Sequence, residues 1–203
     1  MDSKAHWEGV YTAKAVDEVG WYKPNFDVSL GLIAEASTSA SPRVIDIGGG
    51  ASLLVDSLLD CGYEQVAVLD IAAAALEHAQ RRLGERADLV QWMVADVTEL
   101  KSLGVFDIWH DRAVFHFLVD AADRQKYAAL VKQTIPIGGH VIISTFSPTG
   151  PERCSGLDIR RYSSDSLTAE LGDGFRLVKE VPEVHVTPHG KSQSFMYAML
   201  LRV

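Results

Sequence analysis

Cysteine is nearly absent from this chain: Cys61 and Cys154 are the only two in 203 residues. Two thiols cannot build a disulfide framework, and with the histidines spaced as they are they form no recognisable zinc set, so no metal is expected. A reducing compartment, the cytoplasm, is the expected location. Long apolar runs are missing as well. No stretch approaches the roughly 18 uninterrupted apolar residues that a membrane helix needs. Met1-Asp2-Ser3-Lys4, followed by His6-Trp7-Glu8, also lacks the apolar core of a signal peptide. No membrane association is expected. Positive charge is in deficit too, with 27 Asp and Glu against 19 Lys and Arg and a formal net charge of −8. An acidic chain repels a phosphate backbone at long range, which argues against nucleic acid as a partner. The densest basic groups, Arg81-Arg82 with Arg86 and Arg160-Arg161, stand among acidic residues and read as solvated faces. No internal repeat, low-complexity segment or signal for an oligomeric state stands out.

What is present fits one globular domain: 47% of the residues are hydrophobic and 23% charged, and the length allows a sizeable core. Residues 1–24 mix Trp7, Tyr11, Trp21 and Tyr22 with charges and stop at Pro24. Phe26 to Ala36 has helical periodicity, and the Ser/Pro-rich run at 37–42 is its exit. A βα alternation follows. Strands are expected at Arg43 to Ile47, Gln65 to Leu69, Leu89 to Val94, Phe106 to Trp109 and Gly139 to Thr145. Helices are expected at Ser52 to Asp60, Ala73 to Leu83 and Ala121 to Thr134. Such alternation predicts an α/β fold, doubly wound on a mostly parallel sheet, with helices on both faces. After a Pro- and Gly-rich loop, Ser147 to Gly156, come a helix from Ser163 to Leu171 and two strands, Phe175 to Val184 and Gln193 to Leu201. Their Pro-His-Gly turn at 188–190 makes them an antiparallel C-terminal hairpin at the sheet edge. The single domain 1–203 thus divides into an arm and helix (1–40) that form a lid, a ligand-binding core (41–146), and a loop, helix and hairpin (147–203).

The chemistry concentrates at strand ends. Val44-Ile45-Asp46-Ile47 runs straight into Gly48-Gly49-Gly50, and glycines let a backbone approach a ligand closely because no Cβ intervenes. Three glycines could also serve only a tight turn. Four acids, Asp46, Asp70, Asp96 and Asp111, end or closely follow four successive strands. One such Asp alone is usually a turn former or helix cap. Four in consecutive units of a parallel sheet converge on one crevice. Asp70 lies 22 residues after Gly48, where an acid can accept hydrogen bonds from both hydroxyls of a ribose. A dinucleotide would want Gly or Ala at the sixth position of the glycine frame. Leu53 stands there, which disfavours an NAD-dependent enzyme and favours a ligand with a ribose but no pyrophosphate.

Over roughly residues 40–200 the chain resembles the class I, seven-β-strand S-adenosylmethionine-dependent methyltransferases. Asp46-Ile47-Gly48-Gly49-Gly50 is similar to their first motif, Asp70 to their second acidic position, Ala95-Asp96-Val97 to their adenine-binding position, and Phe106 to Asp111 to the segment around their fourth strand. Ser52 departs from the pattern, standing where many members have a last glycine. The resemblance implies a seven-stranded sheet and S-adenosylmethionine as cofactor. It implies the Gly48 to Gly50 backbone beneath the methionyl end, Asp46 at the ammonium, Asp70 at the ribose, Asp96 and Val97 at the adenine with Ile71 on its ring, and Asp111 with Arg112 nearest the methyl-transfer zone.

The acceptor is far less visible. Substrate-side candidates are Trp7, Tyr11 and Tyr22 in the arm, Arg112 after strand four, and Cys154 in the 147–156 loop. The aromatics could equally staple the arm to the sheet, and Cys154 could be an inert buried thiol. For a general base the sequence offers Asp111 and His116, and the histidine could as well be structural. A small-molecule acceptor is favoured because no separate recognition domain remains once the core is counted. The alternatives are a protein lysine side chain, which an acidic cleft would suit, and a cofactor-binding module without transferase activity.

Overall fold

A computed structural model describes residues 3–203; Met1 and Asp2, the start of the expected lid, lie outside the described residues. The strands are β1 (Arg43–Ile47), β2 (Gln65–Asp70), β3 (Val90–Val94), β4 (Ile108–Arg112), β5 (His140–Phe146), β6 (Arg153–Cys154), β7 (Leu157–Asp158), β8 (Phe175–Val186) and β9 (Ser192–Arg202). The helices are α1 (Ser3–Ala13), α2 (Asp27–Ala36), α3 (Leu54–Asp60), α4 (Ala73–Leu83), α5 (Ala121–Thr134) and α6 (Ser164–Leu171). Seven strands form one sheet in the order β3-β2-β1-β4-β5-β9-β8, and β6 with β7 forms a separate small hairpin. The first five are parallel to their neighbours. Strand β9 runs antiparallel to both β5 and β8.

Alternation within the strands builds two cores. Val44, Val66, Val68, Ile108 and Ile142 face α2, α3 and α4, where Ile33, Leu54, Leu58 and Leu76 meet them. Ile45, Ala67, Leu69, Trp109 and Ile143 face the other way, against Tyr127 and Val131 of α5 and Leu167 and Leu171 of α6. Burial on both faces explains why these strands read as nearly continuous apolar runs. The strand order reverses between β1 and β4, and open α/β sheets bind ligands outside the carboxyl ends at such a point. The register keeps those ends level: Ile47 lies opposite Leu69 on one side and Asp111 on the other.

Several elements differ from the expectation. Strand β4 begins at Ile108 and continues through His110, Asp111 and Arg112, because pairing with both β1 and β5 carries His110 and Asp111 along as strand and pairing with β5 carries Arg112. The third strand starts one residue later than expected, at Val90. The terminal hairpin stands at the sheet edge as expected, with β9 interior and β8 outermost. The arm is helical from Ser3 to Ala13. The expected cap of α6 is present: Ser163 Oγ accepts from the Ser166 amide. The basic clusters pair with acids, Arg82 with Asp56, Arg86 with Asp60, Arg160 with Glu170 and Arg161 with Glu152. Among the described residues no helix is long and apolar enough to cross a membrane.

Candidate functional site

The glycine loop leaves β1 at the switch point, and sterics account for each of its residues. Gly48 and Gly50 have φ of +65° and +45°, a region that L side chains rarely adopt. A Cβ on Gly48 would collide with Val114 Cγ2. One on Gly49 would lie 2.5 Å from Asp46 Oδ2 and 2.7 Å from Val68 Cγ1, and one on Gly50 would lie 2.8 Å from Asp70 Oδ2. The loop therefore passes directly against two of the four acids. Ser52, the departure from the glycine pattern, helps to start α3, its Oγ accepting from the Leu54 amide at 3.1 Å.

The four acids do not share one crevice but fall in three settings. Asp70 and Asp96 line one cleft together with Ile47, Gly48, Ile71 and Val97. Asp70 Oδ1 accepts from the Ala72 amide at 2.8 Å, and Oδ2 sits beside Gly50. Burial, with smaller contributions from the charges of Asp46 and Glu8, pushes the Asp70 carboxyl up to about 7. Asp96 Oδ1 takes both the amide and the hydroxyl of Thr98, at 2.8 and 2.7 Å. Its Oδ2 takes no hydrogen bond from the described residues. Asp46 lines a smaller, adjoining cleft with Gly48, Gly49, Tyr22, Lys23, His110 and Arg112. Asp111 lines neither cleft. Its carboxylate is fully buried and accepts from the amides of Val114 and Phe115 and, at 2.6 Å, from Tyr127 Oη. Burial outweighs those donors and lifts it to about 6.

The arm walls the larger cleft. Glu8 of α1 accepts from the first two amides of α4, Ala73 at 2.7 Å and Ala74 at 3.1 Å. That seat places Trp7, Tyr11 and Trp21 along the cleft beside Phe117, Val114 and Cys154. The rings pack edge to face: Trp7 lies 5.4 Å from Trp21 and 5.1 Å from Phe117. The arm aromatics are thus both staple and wall. Arg112 borders both clefts, and its side chain is 7% exposed. Cys154 is a free thiol, pushed up to about 11 chiefly by burial. His116 stands outside both clefts, fully buried between Phe117 and Phe146. Neither ring nitrogen has a hydrogen-bond partner, and burial pulls the imidazole down to about 3.

Residues 44–139, from the first strand to the turn before β5, match the methyltransferase domain family. This stretch, just under half of the chain, is similar to a methyltransferase domain, and the chain shares its fold with solved S-adenosylmethionine-dependent methyltransferases. An eEF1A lysine and N-terminal methyltransferase of Danio rerio is 23% identical over 151 residues, covering 72% of this chain and 22% of that protein. Nodulation protein S of Rhizobium tropici is 24% identical over 114 residues, covering 56% of this chain and 47% of its own length. The chain therefore spans about a fifth and about half of these two relatives. The N-methyltransferase NodS from Bradyrhizobium japonicum WM9, solved with S-adenosyl-L-homocysteine, superposes with a TM-score of 0.74 at 14% identity, covering 99% of both chains.

The fold also recruits side chains that no motif announced. Glu8 seats the arm. Val114 and Phe117 turn back over the glycine loop from the segment after β4. Ser29 of α2, His110 of β4 and Tyr197 of β9 form a buried polar group behind Asp46. Only His110 had a legible signal, as part of the Phe106 to Asp111 segment singled out in the sequence.

Proposed function

We propose that this protein transfers the methyl group of S-adenosylmethionine to a small-molecule acceptor held in the larger cleft. The observation that carries this reading is the wall built by the arm. With Ser3, Trp7, Tyr11 and Trp21 on one side and Gly48, Val114 and Phe117 on the other, the cleft is bounded on both sides. Residues 1–40 act as the lid, 41–146 as the cofactor core and 147–203 as the acceptor side, contributing Cys154.

The cleft fits the cofactor on its own chemistry. Asp96 Oδ2 is an unclaimed acceptor for an adenine amino group, with the Val97 backbone opposite and Ile71 against the ring. Asp70 would hold the ribose hydroxyls, whose donors favour its ionised form. The Gly48 to Gly50 backbone leaves room that any Cβ would fill, and Asp46 would face the ammonium. Bound there, S-adenosylmethionine supplies a methyl group already activated by its sulfonium. The protein's work is to align an acceptor and exclude water. Trp7, Trp21 and Phe117 provide the dry wall, and Tyr11, Arg112 and Cys154 border the acceptor's approach, with Tyr22 in the adjoining smaller cleft. Asp111 has no oxygen left for a ligand.

The relationship to a lysine and N-terminal methyltransferase supports a second reading, a protein lysine acceptor, for which the acidic lining of Asp70, Asp96 and Asp123 is suitable. Labelled S-adenosylmethionine incubated with the protein and a cell extract, then fractionated by size, separates the readings. Label in the small-molecule fraction supports the first and label in protein the second. Cofactor uptake with no transfer would sink both and leave a binding module.

A further inference from the structure

Asp46 is a buried carboxylate whose Oδ1 has a single donor, His110 Nδ1, at 2.7 Å. That donor does not act alone. His110 Nε2 lies 3.0 Å from Ser29 Oγ, Ser29 Oγ lies 3.3 Å from Tyr197 Oη, and Arg112 Nε donates to Tyr197 Oη at 3.2 Å. Arg112 is itself immobilised: Nη1 donates to the Trp21 carbonyl at 3.3 Å, Glu183 lies 3.7 Å from Nη2, and the guanidinium stacks 4.8 Å from the Phe195 ring centre. His110, Ser29 and Tyr197 are all fully buried.

The polarity of this series follows from its ends. Arginine can only donate and a carboxylate can only accept. With a neutral imidazole, Tyr197 therefore donates to Ser29, Ser29 to Nε2, and Nδ1–H to Asp46, so every proton points from the fixed cation toward the cleft. Stabilising Asp46 would need one donor; here α2, β1 and β9 each supply one member of the series and β4 supplies two. The other oxygen, Oδ2, is held beside Gly49, in the smaller cleft that Asp46, His110, Gly48 and Gly49 share.

We infer that His110, backed by Ser29 and Tyr197, is a positioning residue that fixes the Asp46 carboxylate for the ammonium of the cofactor's amino-acid tail. The inference rests on the cofactor reading above. Its test is calorimetric binding of two probes to the intact protein. S-adenosylhomocysteine carries the tail; 5′-methylthioadenosine carries the same nucleoside without it. His110→Leu should weaken S-adenosylhomocysteine about tenfold or more, with smaller losses for Ser29→Ala and then Tyr197→Phe, while 5′-methylthioadenosine stays within about twofold throughout. His110→Asn, whose side-chain amide can replace the Nδ1–H donor, should recover most of the loss. Ser29→Ala and Tyr197→Phe each remove only a hydroxyl oxygen, so they remain informative if His110→Leu does not fold. Equal loss of both probes, or no loss of either, in folded variants overturns the positioning role alone. Failure of the unsubstituted protein to bind S-adenosylhomocysteine overturns the cofactor reading with it.

Discussion

The tips of β3 and β4 each present an aspartate, and the two have opposite fates. Asp96 spends one oxygen on a local turn with Thr98 and keeps the other for the cleft. Asp111 turns inward, and the chain after it doubles back so that two amides and the Tyr127 hydroxyl consume both oxygens. A carboxylate at a strand end is therefore not yet a ligand. What decides is whether the next few residues leave along the sheet or fold back over the acid, and whether a helix behind the strand offers a buried donor.

The contrast can be tested most forcefully at Asp111. Asp111→Ala leaves Tyr127 Oη and two amides without their acceptor in a dry interior, and should lower stability by about 3–5 kcal/mol. Denaturant melts measure this, while the folded fraction should bind S-adenosylhomocysteine much as before. A large loss of affinity at unchanged stability would return Asp111 to the cleft.

A smaller and opposite pattern is expected at Asp70. Asp70→Asn should weaken S-adenosylhomocysteine binding by about 1–3 kcal/mol and still raise the melting temperature at pH 8. The folded chain holds the Asp70 proton up to about pH 7, whereas the unfolded chain releases it in the ordinary carboxylate range near 4. The fold's advantage is thus present at low pH, shrinks as pH rises through that window, and stays reduced above it. Melts at pH 5 and pH 8 check the sign, since the variant should gain more at the higher pH.

The smallest effect belongs to His116. Its imidazole takes no proton in the folded state until about pH 3, while the unfolded chain takes one near 6.5. Stability is therefore lost as pH falls from 6.5 toward 3. His116→Phe removes two unpartnered ring nitrogens and should stabilise by about 1 kcal/mol at neutral pH, with a flatter acid limb in thermal melts. A loss of methyl transfer in that variant would instead support the base role that its sequence position suggested.

These contrasts mark where the sequence could be read and where it could not. The β-branched runs, the glycines after Ile47 and the acids at 46, 70 and 96 are local signals, each produced by a constraint within a few residues. The parallel sheet and the closing hairpin followed from them. The boundaries of β4 did not, because pairing with β1 and β5 overrode the polarity of His110 and Asp111, and pairing with β5 that of Arg112. The backing of Asp46 was equally hidden: Ser29 and Tyr197 are 168 residues apart, and only the sheet and α2 bring them together. Asp111 looked like its neighbours because nothing local shows that Tyr127 will reach it.

The seat of α1 on α4 has a consequence for ligand choice. A helix that begins beside a carboxylate proposed for the ribose is a ready receptor for a phosphate, since its first amides point outward with partial positive charge. In this chain Glu8 already occupies those amides, so the protein's own carboxylate fills the place where a nucleotide's 2′-phosphate would be received. Any phosphorylated ligand must evict the arm and meet the negative charges of Glu8 and Asp70 together. On the proposed cofactor reading an uncharged ribose would meet no such competitor, and nucleotides would be disfavoured before any contact with the base.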